Sequence, residues 1–376
     1  MPLPAVSPVR AVSPATARTA SAVWPAIAAW LALLAASPSF AAAQESVGRM
    51  PALDLQFDAK SAAEIPRLLK LIGDRSGAEA ALARAKKRDK AAQVELRKKT
   101  EEARNALADL AVSYVAQMEM AEALGRLEFG QQLVERYKKD FPHTLWRLDQ
   151  RSKAGDGRAS STMGTLYRLG IVAERSEEKA CDYYRRAAQK EQVSALFRAA
   201  SCIDPVSEAA RVMRVRAAEG GHPLAQEMRG RECLGEKPDA NCALHWLGRA
   251  AAQGRAGAMS LLGFIYSTGE IVPRDDARAF AYLMDAARLG DAAAQNNVGQ
   301  LYELGRGVPA NAAEAFAWYQ RAAEAGLGRA QVNLARAYIE GLGTTPDRAA
   351  ATLWLERAQK QGVAEAGKLL AWLAAR

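Results

Sequence analysis

Trp318-Tyr-Gln-Arg-Ala-Ala-Glu-Ala-Gly326 is one of four related copies in the chain. Trp246-Leu-Gly-Arg-Ala-Ala-Ala-Gln-Gly254, Tyr282-Leu-Met-Asp-Ala-Ala-Arg-Leu-Gly290 and Trp354-Leu-Glu-Arg-Ala-Gln-Lys-Gln-Gly362 are the others, each 36 residues from the next. Degenerate copies stand earlier, at Tyr183-Tyr-Arg-Arg-Ala-Ala-Gln189 and from Met213 to Gly221. A fixed period of this length is the mark of a repeat architecture, in which each unit buries its faces against its neighbours.

A second signature lies upstream in each unit. Leu262-Gly-Phe-Ile-Tyr266 corresponds to Val298-Gly-Gln-Leu-Tyr302, to Leu334-Ala-Arg-Ala-Tyr338 and to the early copy Met163-Gly-Thr-Leu-Tyr167. A Gly-bearing loop follows, as in Gly305-Arg-Gly-Val-Pro309, and then the Ala-x-x-Trp/Tyr stretch. Each repeat therefore reads as helix A, loop, helix B. Small residues midway along A let a neighbouring backbone approach, and the aromatic of B supplies volume between hairpins. Gly at the end of B permits the left-handed turn into the next unit. Six units run from about Ala154 to Gly362, and Val363 to Arg376 forms a closing helix. The early units lack core aromatics in this reading.

These residues resemble the Sel1-like repeat family, a branch of the tetratricopeptide-type helical solenoids. The resemblance covers residues 154 to 362 and is strongest from 255 to 362. The unit at Val193 to Gly221 is short, and the unit from His222 places Cys233 where Tyr stands elsewhere. The resemblance implies an all-α, right-handed α/α solenoid over residues 151–376 and a curved scaffold for protein interaction. In bacteria it further implies service in envelope assembly, signalling or host contact.

Residues 1–43 read as a secretion leader. Arg10 and Arg18 precede an apolar stretch from Val23 to Ala36, and Ala41-Ala42-Ala43 offers a cleavage site. The apolar stretch is short for a membrane span and Pro25 interrupts it. Residues 44–60 read as a linker. Residues 61–150 read as a helical segment, opened by a capping box at Ser61 and Glu64. From Ala78 to about Asp140 the chain predicts one long helix or a helical pair, with Gly125 and Gly130 as breaks. A coiled coil, or a solvated helix packing its C-terminal half, both fit. Its Lys86-Lys87-Arg88 and Arg97-Lys98-Lys99 clusters alternate with acids, as i,i+4 pairing on an exposed helix requires.

Ala, Leu, Arg and Glu dominate the composition and favour helix throughout. The formal charge of +9 falls by two once Arg10 and Arg18 leave with the leader, a mild excess without a nucleic-acid module. An exported chain gives meaning to Cys181, Cys202, Cys233 and Cys242, because disulfides persist outside the cytoplasm. In an A–B–A′ stack Cys233 ends an A helix and Cys242 starts the B helix of the same unit. Cys181 starts a B helix and Cys202 ends the following A helix, so both pairs can bridge.

Chemistry is sparsely represented. Ser176-Glu-Glu-Lys179 fits S-x-x-K, yet it stands where a B helix begins and reads as an N-cap. His143, His222 and His245 form no metal pattern, the cysteines lack zinc spacing, and Gly305-x-Gly307 follows no strand. No catalytic residue, metal or cofactor is expected. Helix A instead leaves a stripe outside the repeat pattern: Ser260, Phe264 and Ser267, then Asn296, Gln300 and Glu303, then Val332, Arg336 and Ile339. These are expected to line the concave face and bind a partner. The leading reading is a periplasmic or secreted adaptor for envelope proteins. A peptidoglycan or acidic-polysaccharide binder is the alternative, and an envelope hydrolase a weaker one.

Overall fold

The computed structural model describes residues 90–375 apart from 142, 143 and 172. The expected leader, the linker, the capping box at Ser61, the first turns after Ala78 and His143 lie outside the described residues. Sixteen α-helices and no strand make up the described residues. Helices α1 (Lys90–Leu124), α2 (Leu127–Asp140) and α3 (Leu145–Lys153) precede six hairpins. These are α4–α5 (Gly157–Leu169, Glu177–Ala188), α6–α7 (Val193–Ala200, Glu208–Glu219) and α8–α9 (Pro223–Glu232, Ala240–Ala252). They continue as α10–α11 (Ala256–Thr268, Asp276–Arg288), α12–α13 (Ala292–Leu304, Ala312–Glu324) and α14–α15 (Gly328–Glu340, Arg348–Lys360). Helix α16 (Ala364–Ala374) closes the stack. From α4 to α15 the even-numbered helices are the A helices and the odd-numbered ones the B helices.

Local signals explain why each helix starts and stops where it does. Every B helix opens on Ser176, Ser207, Asp239, Asp275, Asn311 or Asp347, whose side chain accepts a backbone N–H three residues on. Such a cap is worth about 1 kcal/mol. Ser176 is thus the N-cap expected of it, its Oγ accepting from Lys179 N at 3.3 Å. Each B helix from α7 onward turns into the next unit through a positive-φ glycine, from Gly221 to Gly362. Open carbonyls at B-helix ends are answered from the next A helix. Gln226, Gln295 and Gln331 donate to Ala218, Ala287 and Ala323 at 3.0, 3.2 and 3.3 Å.

Within a hairpin the two helices meet at one tight point. A Cβ on Gly299 would stand 2.7 Å from the Tyr319 ring, inside van der Waals contact. The same juxtaposition pairs Gly164 with Tyr184, Gly230 with Leu247 and Gly263 with Leu283. In the sixth unit Ala335 and Leu355 hold the equivalent places, and both are fully buried. The large side chain of the seam is therefore the residue after the Trp/Tyr of the repeat, while Trp318 itself is buried in a core shared with the preceding unit, between hairpins as the sequence implies. Advancing one residue turns the side chain 100° about the helix, from the edge of the hairpin into its seam. Trp246, Tyr282 and Trp354 are half-buried. Tyr184 and Phe197 are buried, so the early units do carry core aromatics.

Helix α1 ends where Gly125 takes φ +80°, while Gly130 lies inside α2. Of the two readings of this segment, the packed helix holds over residues 100–124. Leu107, Ala111, Tyr114, Val115 and Met118 join Leu133, Tyr137 and Phe141 of the α2 side, Leu148 of α3, and Met163 and Leu166 of α4 in one core. Packing thus runs through residue 150 without a break. Two disulfides staple the next stretch. Cys181–Cys202 ties α5 to the end of α6, and Cys233–Cys242 closes the loop between α8 and α9, with Cα atoms 5.7 and 5.8 Å apart. Loop closure gives each a stabilisation of about 3 kcal/mol in the chain-entropy picture.

Gly299→Ala should destabilise the chain by about 1–3 kcal/mol through overpacking. Adding Tyr319→Leu should recover part of that loss, because the sixth unit already uses an Ala–Leu pair. Denaturant unfolding of the single and double variants checks both; a neutral Gly299→Ala would refute the tight seam.

Candidate interaction surface

Successive A helices touch one another directly. Asn333 of α14 donates to Asn296 Oδ1 of α12 at 2.8 Å, across the unit boundary. Helix α1 meets four units at once. Its C-terminal half bonds to α4 and α6, packs against α8, and is gripped by Arg255 at the start of α10. The A helices of units one to three and the start of α10 thus converge on α1, which covers the A-helix side of the early units.

The contacts that hold α1 there are polar and specific. Thr165 and Ser161 donate to Glu119 Oε1 at 2.5 and 3.2 Å, and this carboxylate is buried. Arg168 and Arg198 converge on Glu122 Oε2, each at 2.6 Å. Arg255 donates to the Ala123 carbonyl at 3.2 Å, answering an open acceptor at the end of α1. The same guanidinium pairs with Glu227, a buried carboxylate that Arg231 also meets at 2.8 Å. Burial pushes the Glu122 carboxyl up, but the Arg198 and Arg168 charges outweigh it and hold the acid below its ordinary range.

Counted from the residue that precedes each A helix, Ser161, Thr165 and Arg168 fall at the fifth, ninth and twelfth positions. The stripe expected to bind a partner occupies those same positions in units four to six: Ser260, Phe264, Ser267; Asn296, Gln300, Glu303; Val332, Arg336, Ile339. Phe264 and Gln300 are exposed, and Ser260, Ser267, Glu303, Arg336 and Ile339 are half-buried. Asn296 and Val332 are buried, which corrects their place in the stripe. Neighbouring A helices close over the fifth position in these units, as the Asn333–Asn296 bond shows. Glu303 accepts from Tyr319 Oη at 2.5 Å and so serves the hairpin seam as well. Exposed Leu304, outside the expected stripe, adds apolar surface at the rim. Its signal was present: Leu169, at the same position in unit one, lines a cavity with Leu127 of α2.

A family profile for the Sel1 repeat matches residues 163–191, 224–254, 256–291, 292–327 and 328–363. The array belongs to the Sel1 repeat family. The profile passes over residues 192–223, where α6–α7 nevertheless forms a hairpin. Among solved structures the chain is similar to c5321, a protective antigen of uropathogenic Escherichia coli strains displaying an SLR fold. Identity is 28%, with a TM-score of 0.54 over 61% of this chain and 51% of that one. The match thus spans about half the length of the E. coli protein. A Sel1 repeat protein from Oxalobacter formigenes matches at 27% identity and TM-score 0.52, over 63% of this chain and 96% of that one. No curated protein matches the sequence.

Other side chains singled out in the sequence serve the Sel1 framework. His222 caps α8 by accepting Ala225 N at Nδ1, 3.3 Å away, and stacks on Phe197 at 4.3 Å. Burial first, then the Arg198 and Arg255 charges, push this imidazole down to about 4. His245 is exposed and meets Trp246 edge-on. In the Gly305–Gly307 loop Arg306 binds Ser267 O and Asp276, both at 2.8 Å, locking one unit to the previous one. Among the described residues no group of three or more His, Cys, Asp or Glu is placed to hold a metal ion. No helix among them is long and apolar enough to cross a membrane.

The His222 cap makes acid sensitivity testable. An unfolded chain protonates this histidine near pH 6.5 and the folded chain near 4. Stability from His222 is therefore whole above pH 6.5 and drains as pH falls toward 4, by about 3 kcal/mol in all. His222→Asn keeps a capping acceptor but does not titrate. Urea midpoints measured from pH 7 to 4 should fall less steeply in that variant; parallel slopes would refute the assignment. Glu122, depressed when folded, adds stability above its ordinary range that is lost as pH falls below about 4.5.

Proposed function

We propose that this chain is an exported scaffold of the bacterial envelope that captures a protein partner on the concave face of units four to six. The observation that carries the reading is α1 itself. Side chains at the fifth, ninth and twelfth positions of an A helix already hold a protein segment in unit one, through Glu119 and Glu122. The corresponding positions at Phe264, Gln300 and Arg336 face the same groove beyond the end of α1. Binding needs no chemistry on the captured molecule. Export is supported by the leader-like N-terminus and by two disulfides, which persist in oxidising compartments. The E. coli relative's description as a protective antigen is in keeping with that location.

A glycan-binding role is the second reading. Sugar recognition by stacking needs an open aromatic face, which exposed Trp146 and Phe264 offer. The repeat tryptophans each carry a guanidinium over one face: Arg249 lies over Trp246 at 5.3 Å, Arg321 over Trp318 at 4.4 Å and Arg357 over Trp354 at 4.5 Å.

A photo-crosslinking residue at 264, 300 or 336 should capture a discrete envelope protein in cells, whereas one at exposed Val212 on α7 should not. Equal capture from all four positions, or none, would refute the concave-face reading. Intact mass after thiol alkylation should show no alkylated cysteine in the exported protein; four alkylated thiols would remove the disulfide argument for export.

A further inference from the structure

The groove of units four to six, we infer, is a receptor for an amphipathic α-helix with acidic side chains, of the type that α1 presents to units one to three. This rests on the concave-face reading above and names the partner's chemistry. The interface with α1 supplies the recognition rules. In unit one the A helix offers hydroxyls at its fifth and ninth positions and a cation at its twelfth, and Arg198 of α6 adds a second cation. The occupying helix answers with carboxylates one turn apart, Glu119 and Glu122. That occupant stops at Leu124, where Gly125 turns the chain away and Arg255 closes the end of the helix. The A-helix face itself continues through α10, α12 and α14.

The continuing surface keeps part of that chemistry: Ser260 stands where Ser161 does and Arg336 supplies a cation, while Glu303, bonded to Tyr319, takes the place of Arg168. Phe264 is 49% exposed and Leu304 62% exposed, one unit and one helical turn apart on the A-helix face beyond α1. Arg336 stands 4.0 Å from Glu303 and 4.0 Å from Glu340, at the outer limit of pairing. By contrast Arg168 and Arg198 hold the carboxylate of α1 at 2.6 Å. A carboxylate from an incoming helix would give Arg336 the close, charge-assisted partner that its own chain does not. Ser260, Ser267 and Gln300 supply the neutral polar contacts that Ser161 and Thr165 make in unit one. From Phe264 to Arg336 the face spans two units, roughly 20 Å at about 10 Å per packed helix. About 13 residues of helix cover that distance. Apolar side chains of the helix lie on Phe264 and Leu304, and its acid meets Arg336, the helix-in-groove mode of recognition.

The probe is a synthetic peptide of residues 104–124 of this chain, which carries Glu119 and Glu122, titrated against the full-length protein by fluorescence anisotropy. Binding is expected, weakened about tenfold or more by Arg336→Glu and by Phe264→Ala, and unchanged by Leu353→Ala on the outer side of α15. A peptide bearing Glu119→Lys and Glu122→Lys should bind the Arg336→Glu protein better than the unaltered one. Failure of the peptide to bind, or binding indifferent to Arg336→Glu and Phe264→Ala, overturns the inference; the second result means that the peptide displaces α1 instead. Sedimentation that shows a dimer abolished by Arg336→Glu also overturns it, because the occupant is then a second copy. Crosslinks from positions 264, 300 and 336 without peptide binding would leave the scaffold reading standing and remove the acidic helix alone.

Discussion

The close approach of A and B helices inside each hairpin governs the rest of the molecule. Where Gly299 faces Tyr319, or Ala335 faces Leu355, two backbones come near enough for one large side chain to fill the seam. Without that contact a hairpin of two 13-residue helices has no stable orientation of its own, since so short a helix is marginal in water. With it, each unit presents a fixed pair of faces to its neighbours. Stacking then buries a continuous core, and the Gln-to-carbonyl bonds and positive-φ glycines set the same step from unit to unit. The form of the A-helix face is the sum of those steps.

Open ends and an open A-helix face are the standing problems of such an array, and this chain solves them with different devices. Helix α16 covers the last hairpin with Leu369 and Leu373. At the other end α2 and α3 cover the first hairpin, and α1 lies across the A-helix side of the early units. The early stretch also carries both disulfides. Its weakest unit, α6–α7, has an A helix of eight residues and is tied to α5 by Cys181–Cys202. Covalent and polar fastening are concentrated where the repeat sequence is most degenerate.

The hairpins, their period and the closing helix were legible in the sequence because each is written by a repeated multi-position pattern. The cysteine pairs were legible too, because the A–B–A′ order alone brings Cys181 to Cys202 and Cys233 to Cys242. Other features lay beyond periodicity. Which of two adjacent residues, Trp318 or Tyr319, fills the seam depends on a rotation about the helix that composition does not record. The burial of Asn296 and Val332 follows from contact between units, a property of the stack and not of one helix. The docking of α1 depends on Glu119 and Glu122 meeting partners at least 42 residues away in sequence, such as Ser161 and Arg168, and nothing local marks those acids as special.

A repeat array ordinarily behaves as a chain of nearest-neighbour links, free to unzip from either end. Helix α1 breaks that rule, because it fastens α4, α6, α8 and the start of α10 to one rod. The first three units and the entrance to the fourth are thereby joined into a single cooperative block, while α12 to α16 keep the end-fraying behaviour of an ordinary array. The half free to fray is also the one whose A-helix face α1 leaves uncovered, so a segment bound there would extend the cooperative block toward the C-terminus as α1 does for the first half.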